Sequence, residues 1–291
     1  MKSTFLLLIT FLGSLQLWAQ QDTISKKTTL TAAIVYNSDV SYYGQSTNEE
    51  MPYILLNATL RLPAGVYFSA GSYKLFNYGS GISAADLGLG FDYDINDQLS
   101  FGLGYSRSFF PSNSPLLQAS NENNLNFSAT YTSLFFKTDL NADYAFGQQS
   151  DVFLSLDTSR EVILGNFFSD KNEFYIEPAI EIVAGSRSFY QTYTIAKGKR
   201  DKEKGKGLKS PGNSGNSGNS GKSGSSAAES TITRESRDFN LLSYNFKLPL
   251  SLSRANYITE LSYQFSVLGR KAEEELKKQQ SYFGLAFYYQ F

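Results

Sequence analysis

The chain has 291 residues, a formal net charge of -1 and 15% aromatic residues, with neither cysteine nor histidine. Without cysteine there are no structural disulfides, thiolate metal sites or lipidated thiol, and without imidazole the usual metal ligand and near-neutral general base are missing. A charge so close to zero gives no basic field for nucleic acid, and a mean hydropathy of -0.28 is what strands alternating polar and apolar residues produce.

Lys2 is followed by an almost continuously apolar run from Phe5 to Leu17, and Leu17-Trp18-Ala19-Gln20 offers a cleavage site after Ala19. This pattern predicts a secretory signal peptide over 1–19. No later stretch has the roughly eighteen uninterrupted apolar residues of a membrane helix. Residence in a membrane therefore requires a closed barrel, the strand form that satisfies every backbone group in lipid.

Period-two alternation then recurs along the chain and predicts strands over 28–37, 52–62, 65–75, 84–95, 98–108, 124–135, 139–146, 151–162, 173–188, 239–252, 256–267 and 281–291. The clearest is 84–95, where Leu87, Leu89, Phe91, Tyr93 and Ile95 alternate with Asp86, Gly88, Gly90, Asp92 and Asp94. A turn at Asn96-Asp97 leads to Leu99, Phe101, Leu103 and Tyr105, alternating with Ser100, Gly102, Gly104 and Ser106. One face of this hairpin is apolar. The other is small and polar, with fewer Lys and Glu than the water-facing side of a soluble sandwich.

Short connections are expected at Pro63-Ala64-Gly65, Asn96-Asp97, Lys137-Thr138 and Arg254-Ala255, and longer ones around 38–51, 76–83, 109–123, 189–238 and 268–280. Short turns alternating with long loops is the arrangement of a membrane barrel, with both termini on one side and an even strand number. Twelve strands fit; ten follow if Leu125 to Phe146 forms one long strand and another division is revised.

The low-complexity segment over about 197–237 begins with seven basic residues between Lys197 and Lys209 and continues in an Asn-Ser-Gly repeat over 213–221. Such sequence buries nothing and predicts a disordered loop, either merely solvated or a basic tether for lipopolysaccharide or a partner. In Arg270 to Lys278, Glu273 and Glu274 precede Lys277 and Lys278 by four residues, which favours a short helical turn.

In the last strand, Phe283, Leu285, Phe287, Tyr289 and Phe291 share one face, while Tyr282, Gly284, Ala286, Tyr288 and Gln290 share the other. With the leader and the strand ladder, this segment resembles the closing strand of Gram-negative bacterial outer-membrane β-barrels. The Ala-Gln-Gln junction at 19–21 and the Tyr/Phe-rich strands are more like those of the Bacteroidota. The resemblance implies an all-β antiparallel transmembrane barrel in the outer membrane. It also implies Phe291 as the signal read by the barrel-assembly machinery, and contact with outer-membrane lipid and lipopolysaccharide. It carries over no functional residues.

Enzymatic outer-membrane barrels rely, as families, on an active-site histidine, so no enzyme, cofactor or metal is expected. Gly88-Leu-Gly90 and Gly102-Leu-Gly104 lie inside strands and are not nucleotide fingerprints. The length excludes a plugged barrel of about 22 strands. Strand parity turns Asp86, Asp92, Asp94, Asp139, Asp143, Asp157, Glu177, Glu181 and Glu260 inward, with Arg61 and Lys247 as the opposing bases. Carboxylates in a dry interior are costly, so these are either hydrated in an open lumen or paired in a filled one. The expected function is a narrow, non-energised channel for small hydrophilic solutes with a mild cation preference. The alternative is a non-conducting scaffold or surface barrel using its long loop.

Overall fold

The computed structural model of the chain describes residues 27–46, 50–79, 81–111, 114–116, 121–166, 171–186, 239–270 and 278–291. The expected leader over 1–19, the loop over 197–237 and the interior of the charged stretch at 270–278 lie outside these residues.

The described residues form fourteen strands: β1 (Thr29–Asn37), β2 (Tyr53–Arg61), β3 (Val66–Leu75), β4 (Ala84–Asp94), β5 (Leu99–Phe109), β6 (Asn123–Thr132), β7 (Lys137–Phe146), β8 (Ser150–Ser159), β9 (Val162–Gly165), β10 (Glu173–Ile176), β11 (Ala179–Gly185), β12 (Asn240–Arg254), β13 (Tyr257–Leu268) and β14 (Gln279–Gln290). Twelve close into one antiparallel ring: β1 to β8 in chain order, then β11 to β14, with β14 back on β1. No edge remains in that ring, so each of its strands is paired on both sides. The twelve-strand expectation holds and the ten-strand one falls, because β6 and β7 are separate and pair from Asn123↔Phe146 to Thr132↔Lys137.

Alternation fixes what faces where. Along β4, Leu87, Leu89, Phe91 and Tyr93 are 43–58% exposed on the outside. Leu125 and Phe127 on β6, Leu154 and Leu156 on β8, and Phe283, Leu285 and Phe287 on β14 are likewise exposed on the outside, at 41–56%. An apolar belt all round a closed barrel is suited to lipid and not to water.

The turns at 62–65, 95–98, 133–136 and 255–256 fall at one end, here the turn end; the connections leaving Asn37, Leu75, Phe109 and Gly185 fall at the other, the loop end. Two turns differ from expectation by position. The β6–β7 turn spans 133–136 and not Lys137-Thr138, because Ser133 Oγ accepts the Phe135 and Phe136 N–H groups and donates to the Phe136 carbonyl. The β12–β13 turn is Ala255-Asn256, one residue later than expected, with Ala255 at φ 49°.

The expected strand over 173–188 is split. β10 and β11 both pair with β12, but the run breaks at Glu177-Pro178, and β9 folds back on β10 as an extra hairpin at the turn end. Opposite the break stands Pro249, whose carbonyl accepts the Glu177 N–H at 3.2 Å. Its missing donor thus points into the gap, where no ladder bond is needed. A second irregularity, between Val183 and Ala184, leaves Leu242 of β12 as an extra residue. Leu242 and Ser243 are consequently both buried.

Candidate functional site

The bore has two unlike halves. Toward the turn end its wall is charged, and most of the inward carboxylates have partners. Arg61 pairs with Asp92. Lys247 bridges Asp157 at 2.9 Å and Glu181 at 3.0 Å, and Asn245 donates to Glu181 at 2.8 Å. These four lie together because Asp157 on β8 registers with Glu181 on β11, which registers with Asn245 on β12. Asp143, level with Phe153 in the loop-end half, accepts from Asn124 and Asn126 at 2.9 Å each. Asp139 accepts from Thr130 and pairs with Lys137 at 2.9 Å. Glu177 accepts from Ser159 at 2.7 Å, and Glu260 sits opposite Ser251 and near Glu177. Asp94 closes β4 and is exposed at the turn end. Asp86, near the loop end of β4, stands over Gly71, its Oδ1 buried and without a partner among the described residues. The Tyr67 ring lies flat along the wall over Gly90, a close approach that any Cβ there would block.

The loop-end half is filled by the connection between β1 and β2. Its tip is a tight turn, with Tyr42 N–H to Gln45 O at 2.8 Å and Gln45 N–H to Tyr42 O at 3.1 Å. The central residues Tyr43 and Gly44 have φ 52° and 78°, both in the left-handed region that such a turn requires. This tip crosses the bore. Tyr43 stacks on Phe153 with ring centroids 3.7 Å apart, and Tyr42 meets the same ring edge-on at 5.5 Å. Phe153 belongs to β8, halfway round the ring from β2. Ser243 Oγ donates to the Tyr43 carbonyl at 3.1 Å, and the Ser46 N–H donates to Gln280 at 2.9 Å. At the loop's base, Asp39 Oδ1 accepts the Val40 and Met51 N–H groups, both at 2.8 Å. Val40 and Met51 pack with Leu75, Ala84 and Leu116. Burial pushes the Asp39 carboxyl up from its ordinary value, with those two N–H groups pulling the other way.

The crossing tip rests against β8, β12 and β14. On the opposite side it leaves a cavity of about 270 Å³ lined by Tyr42, Tyr43, Tyr53, Tyr73, Asn121 and Asn124, among others.

Parity alone led to the wall charges, and it missed the loop. It also missed Lys137 and Asp151; Asp151 is buried and receives Ser186 Oγ at 2.7 Å and Asn121 Nδ2 at 3.0 Å. One clue was present. Phe153 and Tyr282 are large aromatics on otherwise small or polar inner faces, and a large ring turned into a bore needs something to pack against. Phe291 lies on the outer face, 67% exposed, its N–H bonded to the Leu30 carbonyl at 2.9 Å.

Replacing Lys247 with Met leaves Asp157 and Glu181 side by side without their cation. A fully buried pair broken this way loses about 3–5 kcal/mol; Lys247 keeps partial exposure, so a loss of about 2 kcal/mol is expected, measured by urea unfolding in lipid vesicles. An unchanged unfolding free energy would show that the cluster contributes no stability.

No protein-family model matches the chain, and no curated protein matches it. Among solved structures it is similar to a KdgM porin, at 9% identity and a TM-score of 0.45 over 90% of this chain and 99% of that one. It is also similar to a NanC porin, at 8% identity and 0.43 over 89% and 98%. LpxR from Salmonella typhimurium is similar at 8% identity and 0.45 over 90% and 99%. Similarity at this level establishes no shared activity.

Proposed function

We propose that the chain is an outer-membrane β-barrel of a Gram-negative bacterium forming a narrow, non-energised channel for small hydrophilic solutes, with a preference for cations. The observation that carries this is the solvation of the inward charges in the turn-end half. Arg61 and Asp92 keep 47% and 31% side-chain exposure although both face the bore. Water reaches them, so that half is a vestibule and not a packed core. Carboxylates outnumber bases on its wall, and a bore with low-dielectric sides screens fixed charge less than bulk water does. Twelve strands stand between the side-chain-filled eight-stranded barrel and the open porin of 16–18 strands, which suits a restricted pore.

The loop lying across the other half supports a second reading, a barrel sealed to solutes that presents its loop end to lipopolysaccharide or to a partner protein. Single-channel recording in planar bilayers separates the two, using protein first shown to be folded by heat-modifiable gel mobility. The channel reading expects small, discrete current steps. Folded protein that inserts and gives no steps would favour the sealed barrel.

A further inference from the structure

We infer that the free edge of β9 is a docking site for the C-terminal tail of a partner protein, taken up as an added antiparallel strand with its carboxylate on Arg160. The site lies outside the bore, so it goes beyond the channel reading and stands or falls separately from it. The partner is on the turn-end side of the membrane, the periplasmic side in barrels with this arrangement of turns and loops.

In the sheet, β9 has β10 on one side and no described strand on the other. Alternation tells which backbone groups are left over. The Arg160 N–H donates to the Pro178 carbonyl at 3.2 Å. Two residues on, the backbone of Val162 turns the same way, toward β10, and that of Ile163 turns away from it. Ile163 therefore offers an N–H and a C=O that bond to nothing among the described residues. Its side chain is 59% exposed, and those of Val162 and Leu164 are exposed as well. The neighbouring β6–β7 turn bares Leu134, Phe135 and Phe136. Lipid covers apolar side chains but cannot pair a backbone donor and acceptor. An extended chain does both.

The edge also sets the direction and the end of that chain. β7 begins at Lys137, opposite Ser159, so an added strand cannot run past Arg160. A strand antiparallel to β9 reaches this stop with its C-terminus. A parallel one would have to start there, with its ammonium group against the guanidinium. Arg160 is exposed and has no carboxylate partner among the described residues. The side chain of Glu161, next to it, belongs to the other face of the strand. Arg160 also lines an apolar groove of about 510 Å³ on the outer wall, with Phe136, Ile180, Phe246, Leu248 and Phe265. The last side chain of the tail has its place there. A guanidinium beside an apolar groove, at the end of an open edge, matches a free carboxylate on an apolar residue. A second copy of the chain does not fit. Copies side by side in one membrane share an axis along its normal, whereas β9 paired antiparallel with itself needs an axis across the strands.

The probe is a hexapeptide, Thr-Val-Thr-Val-Thr-Phe, labelled with fluorescein at its N-terminus and made in two forms, one ending in a free carboxylate and one in an amide. Fluorescence anisotropy is read against the folded full chain in detergent micelles, with empty micelles as background. Saturable one-to-one binding of the acid form is expected, with the amide about tenfold weaker. Arg160→Gln should weaken the acid form about tenfold and leave the amide unchanged. Ile163→Pro takes away a donor that the fold does not use and should weaken both forms at least about tenfold. If that variant does not fold, Arg160→Gln with the two peptides decides. Equal binding of acid and amide would overturn the inference, as would the absence of saturable binding or binding that neither variant moves. No peptide binding, with phosphatidylglycerol that copurifies with the wild type and not with Arg160→Gln, would overturn it in favour of a phospholipid. A dimer that Ile163→Pro dissociates would overturn it in favour of a second copy.

Discussion

Gly44→Leu should raise single-channel conductance severalfold. Gly44 sits at φ 78° at the tip of the crossing loop, and a Cβ there would run into the side chains of Ser243 and Asn245. The residue is therefore strained by its backbone and obstructed by the β12 wall. The obstruction cannot relax cheaply, because Ser243 is fully buried and holds the Tyr43 carbonyl. The tip should leave its seat and take Tyr43 off Phe153, opening the bore, while the strand ladder, which uses no part of this loop, stays intact. Phe153→Ala approaches the same seat from the other side. It removes the ring on which Tyr42 and Tyr43 rest, at a cost of about 3–5 kcal/mol in packing, and should also raise conductance. The Asp39 carboxyl adds a pH dependence. Its pKa is raised in the seated loop, so the seat is tightest in acid. It loosens as pH rises from the ordinary value of 3.8 through the raised one. Open-state occupancy should increase in that direction. Conductance of Gly44→Leu equal to wild type would show that the loop does not limit the current.

Neutralising Asp92, Asp94, Glu177 and Glu181 to Asn and Gln should shift the reversal potential in a salt gradient strongly toward anions. Each neutralisation removes one negative charge from the wall, paired or not. Asp92 is bound to Arg61, and Glu181 shares Lys247 with Asp157. Removing Asp92 deletes negative charge and leaves Arg61 without its carboxylate, while Lys247 keeps Asp157 when Glu181 is removed. Asn and Gln keep hydrogen-bonding capacity at each place, so the wall should persist. An unchanged reversal potential would mean that selectivity is set at the loop end, by the tyrosine cavity and the crossing tip.

The ring was legible in the sequence because a barrel strand writes its two environments alternately. Leu87, Leu89 and Phe91 against Asp86, Gly88 and Gly90 fix a face without any knowledge of neighbours. The break at Glu177-Pro178 was not legible as a break. Pro178 marks it only once Pro249 is known to stand opposite the break, and the Glu177–Pro249 bond there joins residues 72 positions apart in the chain. The inward charges were placed by parity, but their partners were not, since Asp157, Glu181 and Lys247 meet through the register of three strands. The crossing loop was hidden for a different reason. Ser41-Tyr-Tyr-Gly-Gln45 has no periodicity, and its place is decided by where Phe153, Ser243 and Gln280 wait across the bore. Tertiary contact outranks local pattern there.

In this barrel the polar faces line water and the apolar faces line lipid. The chain has no native cysteine, so single substitutions report without background. The decisive measurement is the rate at which a small, membrane-impermeant cationic thiol reagent modifies Asp92→Cys and Leu89→Cys in protein reconstituted into bilayers. Rapid modification of Asp92→Cys is expected, accompanied by a fall in current, with negligible modification of Leu89→Cys. Equal rates at the two positions, or protection of Asp92→Cys with reaction at Leu89→Cys, would contradict it.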